Sequence, residues 1–170
     1  KKLIIDSWFQ YYKTDLEDLS KSGRFRDSVA MLMRDGQKSS HGSSIKGRKA
    51  REALNDAQLN ISEFFEEKIS SKKYNVLCLL SMDGKVVSSS RNDLVGADWS
   101  DRTFLKEMAL GLKSTAVAGF GADAGSDNSI EFITPVFDVH DNMTALLYAS
   151  SKVDDLTGFL KKKNGVYKSE

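Results

Sequence analysis

Arg102 is the side chain of this sequence best placed for chemistry. It falls in Asp98-Trp99-Ser100-Asp101-Arg102-Thr103-Phe104. Here Ser100 offers a side-chain oxygen to the free amides of a new helix, and Asp101 in its first turn suits the dipole. An arginine in that turn stands where unpaired amides and the positive dipole end already favour an anion. Its guanidinium adds a planar fork that matches a carboxylate through two parallel hydrogen bonds. The competing reading is an ordinary ion pair with Asp98 or another acidic neighbour. The residues alone leave both open.

Little else offers chemistry. Cys78 is the only cysteine, so no intrachain disulfide or cysteine metal cluster can form. Its apolar neighbours make it a small buried hydrophobe. His41 and His140 stand in polar contexts far apart, which argues against a metal site. Asp123, Asp127 and Asp141 lack the alternating acidic spacing of a calcium loop and are expected to form turns. No glycine-rich phosphate loop, nucleophile elbow or zinc-binding histidine motif occurs. The expectation is no enzyme, no cofactor and no metal.

Charge excludes another class. The net charge of +1 gives no general attraction to nucleic acid. Residues 1–73 carry 15 basic and 11 acidic side chains, and 74–152 carry 6 and 10, an offset that fits solvated helix faces. No run is long enough to span a bilayer, and no signal peptide is evident. The chain opens at Lys1-Lys2 without a methionine and is expected to be a piece of something longer. Lys161-Lys162-Lys163 fits a solvated helix end or a membrane-proximal segment.

The elements that must position Arg102 follow from periodicity. Residues 1–34 carry Ile5, Trp8, Tyr12, Leu16 and Leu19 at helical steps, with Phe25, Val29 and Leu32 continuing beyond Gly23. A polar loop follows at about 34–45, then a second helix over 46–70 with Ala50, Leu54, Ala57, Ile61 and Ile69 on one face. Both stripes are expected to pack in the core, the aromatic first one alternatively against another subunit. From Tyr74 the period becomes extended. Val76–Leu80 is apolar on both faces, as in a strand covered on both sides. Asp83-Gly84 suits a two-residue hairpin turn into a strand over 85–89. A helix over 101–110 ends at Gly111. Strands are expected at 114–120, 130–137 and 144–151, and a short helix at 154–163. Pro135, the sole proline, argues for an edge position or a local break. The layout is α+β with an antiparallel sheet.

This order of motifs resembles the Cache family, the PAS-like, PDC-type extracellular sensor domains of bacterial and archaeal chemoreceptors, histidine kinases and related signalling proteins. The resemblance rests on Asp83-Gly84 with Val86-Val87, Val95-Gly96, and Ser100-x-Arg102-x-Phe104. It continues through Thr134-Pro135-Val136 with Asp138, and Val153-Asp154-Asp155-Leu156. It implies a PAS-like five-stranded sheet with a long N-terminal helix, a second helix and a short C-terminal helix. The implied division is a helical segment 1–72, a sensor core 73–157 and a C-terminal end 158–170. It further implies the extracytoplasmic part of an inner-membrane signal-transduction receptor, joined to the membrane only by flanking segments.

In such domains the helix at this position closes over a pocket, and its arginine commonly contacts ligand. The resemblance and the helix start place Ser100, Arg102 and Phe104 in that pocket, and strand alternation adds Phe120, Phe132, Thr134, Tyr148 and Ser150. Phe104, Phe132 and Tyr148 would be walls, and Thr134, Ser150 and the tyrosine hydroxyl polar anchors. The same stripes fit an ordinary core. Amino-acid-binding members carry Arg-x-Trp-Tyr in the helix and an aspartate in the last strand. Here Phe104, Leu105 and Ser150 stand instead, so a small anionic ligand is expected rather than a free amino acid. The competing functions are a Cache-like structural or dimerisation module and a cytosolic PAS domain. A homodimer through the N-terminal helix is the expected assembly.

Overall fold

The apolar stripe that opens the chain does not run as one helix. Helix α1 (Lys2–Lys21) and helix α2 (Gly23–Asp35) meet at Ser22, and helix α3 (Ile45–Ser70) follows. Serine and glycine side by side weaken helix propensity at the junction. Ser22 donates its N–H back to Leu19 and offers its carbonyl to Arg26, so it closes one helix and starts the next. Strand β1 (Val76–Leu80), strand β2 (Val86–Ser89), helix α4 (Thr103–Met108), and strands β3 (Ala116–Gly121), β4 (Ser129–Phe137) and β5 (Met143–Lys152) complete the order. The computed structural model describes residues 2–35, 45–108, 111–121 and 129–152. The expected loop over 36–44, the end of the 101–110 helix, and the closing helix and motif from Val153 onward lie outside the described residues.

The strands form one antiparallel sheet in the order β2-β1-β5-β4-β3, which bears out the α+β, PAS-like expectation. Pro135 lies in an inner strand, not an edge one. Pairing with β3 stops at Ala116–Ile133, however, while β5 continues alongside through Pro135–Leu146. The proline sits where β4 has one neighbour, which is where a missing N–H costs least.

Side-chain alternation divides the strands between two cores. Leu77, Leu79, Phe132, Leu147 and Ala149 face the three helices, and Val76, Cys78, Leu80, Ile133 and Tyr148 face α4. Both faces are covered, which is why Val76–Leu80 shows no polar alternation. On the helix side, Trp8, Tyr12, Leu16 and Leu19 are all buried. Tyr12 stacks on Phe132 with centroids 5.3 Å apart, and Trp8 reaches the same ring at 6.1 Å. The expectation that this stripe packs in the core is borne out, and the sheet is what covers it.

A charged cluster locks α1 to the start of β1. Asp15 accepts hydrogen bonds from Lys68 Nζ and Tyr74 Oη, both at 2.8 Å, and lies 3.3 Å from Lys73 Nζ. That ammonium sits 3.4 Å from the centre of the Tyr11 ring and 5.0 Å from that of Tyr12. Burial alone would raise the Asp15 carboxyl; the bonds from Lys68 and Tyr74 and the charge of Lys73 outweigh it and hold it below its ordinary 3.8. A carboxyl depressed in the folded state contributes stability that is complete above its unfolded value and is lost as pH falls through the folded one. Asp15→Asn is therefore expected to cost about 1–3 kcal/mol at neutral pH. It should also flatten the loss of stability below about pH 4. Urea unfolding at pH 7 and in acid measures both.

Candidate functional site

The site is built outward from a tight turn. Between β1 and β2, Gly84 adopts φ +88°, a conformation open to glycine, and its N–H donates to the Ser81 carbonyl at 2.9 Å. Ser81 Oγ contacts the Asp83 carboxylate and accepts the Lys85 N–H at 3.1 Å. The chain after β2 returns along that strand's outer edge. Val86 donates to Ala97 at 2.9 Å, Gly96 to Val86 at 2.8 Å, and Trp99 to Gly84 at 2.9 Å. These bonds cover the edge of β2 and fix where Trp99 sits.

The helix start differs from expectation. Ser100 is not the cap. Its N–H donates to Asp98 Oδ1 at 2.9 Å, and this bond first of all holds the Asp98 carboxyl below its ordinary value. Arg102 donates its backbone N–H to Trp99 at 3.0 Å, and α4 begins only at Thr103. Arg102 thus precedes the helix. The reason is a contact from outside the segment: the Trp99 N–H is held by the Gly84 carbonyl, so residues 99–102 turn before the helix can wind.

The Arg102 guanidinium lies over the Trp99 ring at 3.9 Å. Stacking uses the flat face of the cation and leaves its in-plane donors for polar groups. Trp99 meets Tyr148 edge-on at 5.0 Å, and Phe104 stacks on the same tyrosine at 6.0 Å. Tyr148 is fully buried. Burial, then the charge of Glu131, push its phenol well above the ordinary value, and Arg102 opposes them. Glu131 is itself 5% exposed and stands opposite Ser150 in register, with Gly119 on its other side. The Ser150 hydroxyl is buried and finds no hydrogen-bond partner among the described residues.

The structure therefore divides the expected pocket set. Arg102, Phe104, Tyr148 and Ser150 are brought to one face. Phe132 and Thr134 point to the other: Phe132 packs under α1, and Thr134 bonds Thr115 at 2.9 Å. Ser100 is exposed, and Phe120 is 72% exposed on the edge strand β3. The face belongs instead to Glu131 and Ile133, whose partners are Ser150 and Tyr148. Trp99 and Glu131 were missed. A single charge inside the apolar run Ile130–Phe137 was the signal that could have found Glu131. The corrected phase also removes the ground for excluding an ammonium group, because a carboxyl side chain, that of Glu131, does stand opposite Ser150.

No family model and no curated protein matches this sequence. Solved structures do. The sensor domain of the histidine kinase DctB from V. cholerae superposes with TM-score 0.65 at 12% identity, over 93% of this chain and 54% of that one. The E. coli DcuS sensor domain gives 0.53 at 11%, over 85% and 88%. An extracellular ligand binding receptor from Desulfohalobium retbaense gives 0.54 at 11%, over 95% and 27%. The chain thus spans about half of the DctB structure and most of the DcuS one. Identities this low speak to architecture alone, and on that ground the chain shares the PAS-like α+β fold of these solved sensor domains.

Proposed function

We propose that the chain is the extracytoplasmic ligand-sensing domain of a membrane-bound signal-transduction receptor. It takes a small carboxylate between the sheet and α4, anchored by Arg102. The observation that carries this reading is a buried polar pair, Ser150 opposite Glu131, on the same face as Tyr148, against which Trp99 and Phe104 pack with Arg102 over Trp99. A buried hydroxyl without a partner is costly and marks a place for a donor or acceptor from outside. Glu131 extends the ligand class to acids that also carry an ammonium or hydroxyl. The resemblance supports the receptor setting, with the membrane reached through flanking segments. No described helix is long and apolar enough to cross a membrane.

A thermal-shift screen of small organic acids and amino acids tests this. A ligand at a hundredfold its dissociation constant stabilises by about 2.7 kcal/mol, roughly 5–10 °C for a domain of this size. Arg102→Ala is expected to erase the shift and leave the unliganded midpoint nearly unchanged. Glu131→Gln should spare plain acids and abolish binding of amino acids. A hit that Arg102→Ala binds as tightly as wild type would overturn the assignment.

A structural module without ligand is the second reading, favoured by the packing of both Trp99 and Phe104 on Tyr148. A screen without hits decides for it. A homodimer through the N-terminal helices belongs to the proposal in either case. Its contact would have to use outward residues such as Tyr11, 58% exposed, because the inner stripe is occupied.

A further inference from the structure

A cleft rimmed by charged side chains lies across the sheet from Arg102, where the α1–α2 corner meets the end of β4. It encloses about 140 Å³, room for several water molecules. Its origin is legible in the strands. β3 leaves β4 after Ile133, and Pro135 has no N–H to recruit another neighbour, so the connector carrying Lys113 and Ser114 forms one wall. Lys21 at the end of α1 and Arg26 in the first turn of α2 form another.

Three cations here, Lys21, Arg26 and Lys113, face the two carboxylates Glu17 and Asp141, which leaves one positive charge in excess. Glu17 is already engaged. Its Oε1 accepts the Thr115 N–H at 3.2 Å, and Lys21 approaches its Oε2 at 3.4 Å. Arg26 is different: its Nε is buried and meets no acceptor among the described residues. A buried guanidinium N–H without an acceptor is unfavourable, and an anion from solvent removes the deficit.

We propose that this cleft binds a small oxyanion, as the free ion or as the head of a short organic acid, with Arg26 Nε–H and Lys113 as its principal donors. The site is separate from the face that carries Arg102 and does not depend on a ligand there. An anion in it ties the α1–α2 corner to β4 and to the connector entering β3, so it acts as an effector that stiffens the helical layer against the sheet.

Isothermal titration of the 170-residue chain with sulfate, phosphate and acetate, at constant ionic strength in chloride, tests the proposal. One saturable site is expected; inorganic ions binding more tightly than acetate identify the free ion, the reverse an organic acid. Arg26→Lys keeps the charge but loses the Nε donor, and should weaken binding about tenfold or more. Lys113 is exposed, so Lys113→Ala leaves the core intact and should weaken binding as well. Arg102→Ala should leave it unchanged. The proposal is overturned if folded wild type shows no saturable binding of any of the three anions. Binding that survives both Arg26→Lys and Lys113→Ala, or that is lost in Arg102→Ala, overturns it equally.

Discussion

Trp8→Ala is expected to destabilise the domain by about 3–5 kcal/mol, the range for emptying a core site of this size. Trp8 is 1% exposed and touches Phe9, Tyr12 and Phe132, so its removal opens a void shared by α1 and β4. Domains are stable by only about 5–15 kcal/mol, so the loss is a large share of the total. Trp8→Glu should be worse, because it adds an unpaired charge to the same space. For a chain of this length the alanine variant's midpoint should fall by roughly 6–20 °C. Thermal unfolding followed by circular dichroism at two protein concentrations separates core from interface. Loss of structure independent of concentration is expected. A folded Trp8→Glu monomer replacing a wild-type dimer would return the stripe to a subunit contact.

Gly84→Ala should be the second severe change, and it bears on the site. A Cβ there would lie 2.8 Å from both the Ser100 Cα and the Ser100 N, and 2.8 Å from Leu105 Cδ1. Backbone cannot yield as a flexible side chain does. The positive φ adds about 1–2 kcal/mol for any residue with a Cβ, and overpacking about 1–3 kcal/mol. A combined loss of about 2–5 kcal/mol follows. The residues pushed aside are those that lead into Arg102, so ligand response should fall even in the fraction that stays folded. Gly96→Ala is the control. It has the same φ of +88° but nothing within 4 Å of the added atom, so strain acts there without the clash. Urea unfolding of both variants measures the difference, and equal losses would show that contact with Ser100 contributes nothing.

The elements were legible because periodicity is a property of one segment at a time. The α3 stripe and the strands from Val76, Ile130 and Thr144 all emerge within two residues of expectation. Strand phase was harder. β4 is covered on both faces, so Ile130, Phe132 and Ile133 give no apolar–polar alternation to say which side faces α4. The polar and aromatic residues chosen for the pocket, Phe132 and Thr134, were plausible in type and wrong in phase. Glu131 held the answer, yet a lone buried acid is rare enough to be passed over in an apolar run. The start of α4 was displaced for another reason. Ser100 is a good cap by type, but the bond from Trp99 N–H to the Gly84 carbonyl joins residues 15 apart, which no local rule detects. The break at Ser22 lay in plain view as Ser22-Gly23, although the apolar stripe continued through it.

Cys78 gives the fold a property beyond packing. The thiol lies beneath the α4 layer with no exposed surface, bonds Ser89 at 3.3 Å, and burial pushes it up to about 11. Burial thus disfavours the thiolate, the form that attacks electrophiles and disulfides. The closed domain therefore shields the thiol from thiol reagents. An opening of the layer formed by Trp99 and α4 over this face would bring the sulfur to solvent. The chain thus carries its own clock for that motion, and the rate at which a thiol reagent labels it counts the openings of the face that holds Arg102.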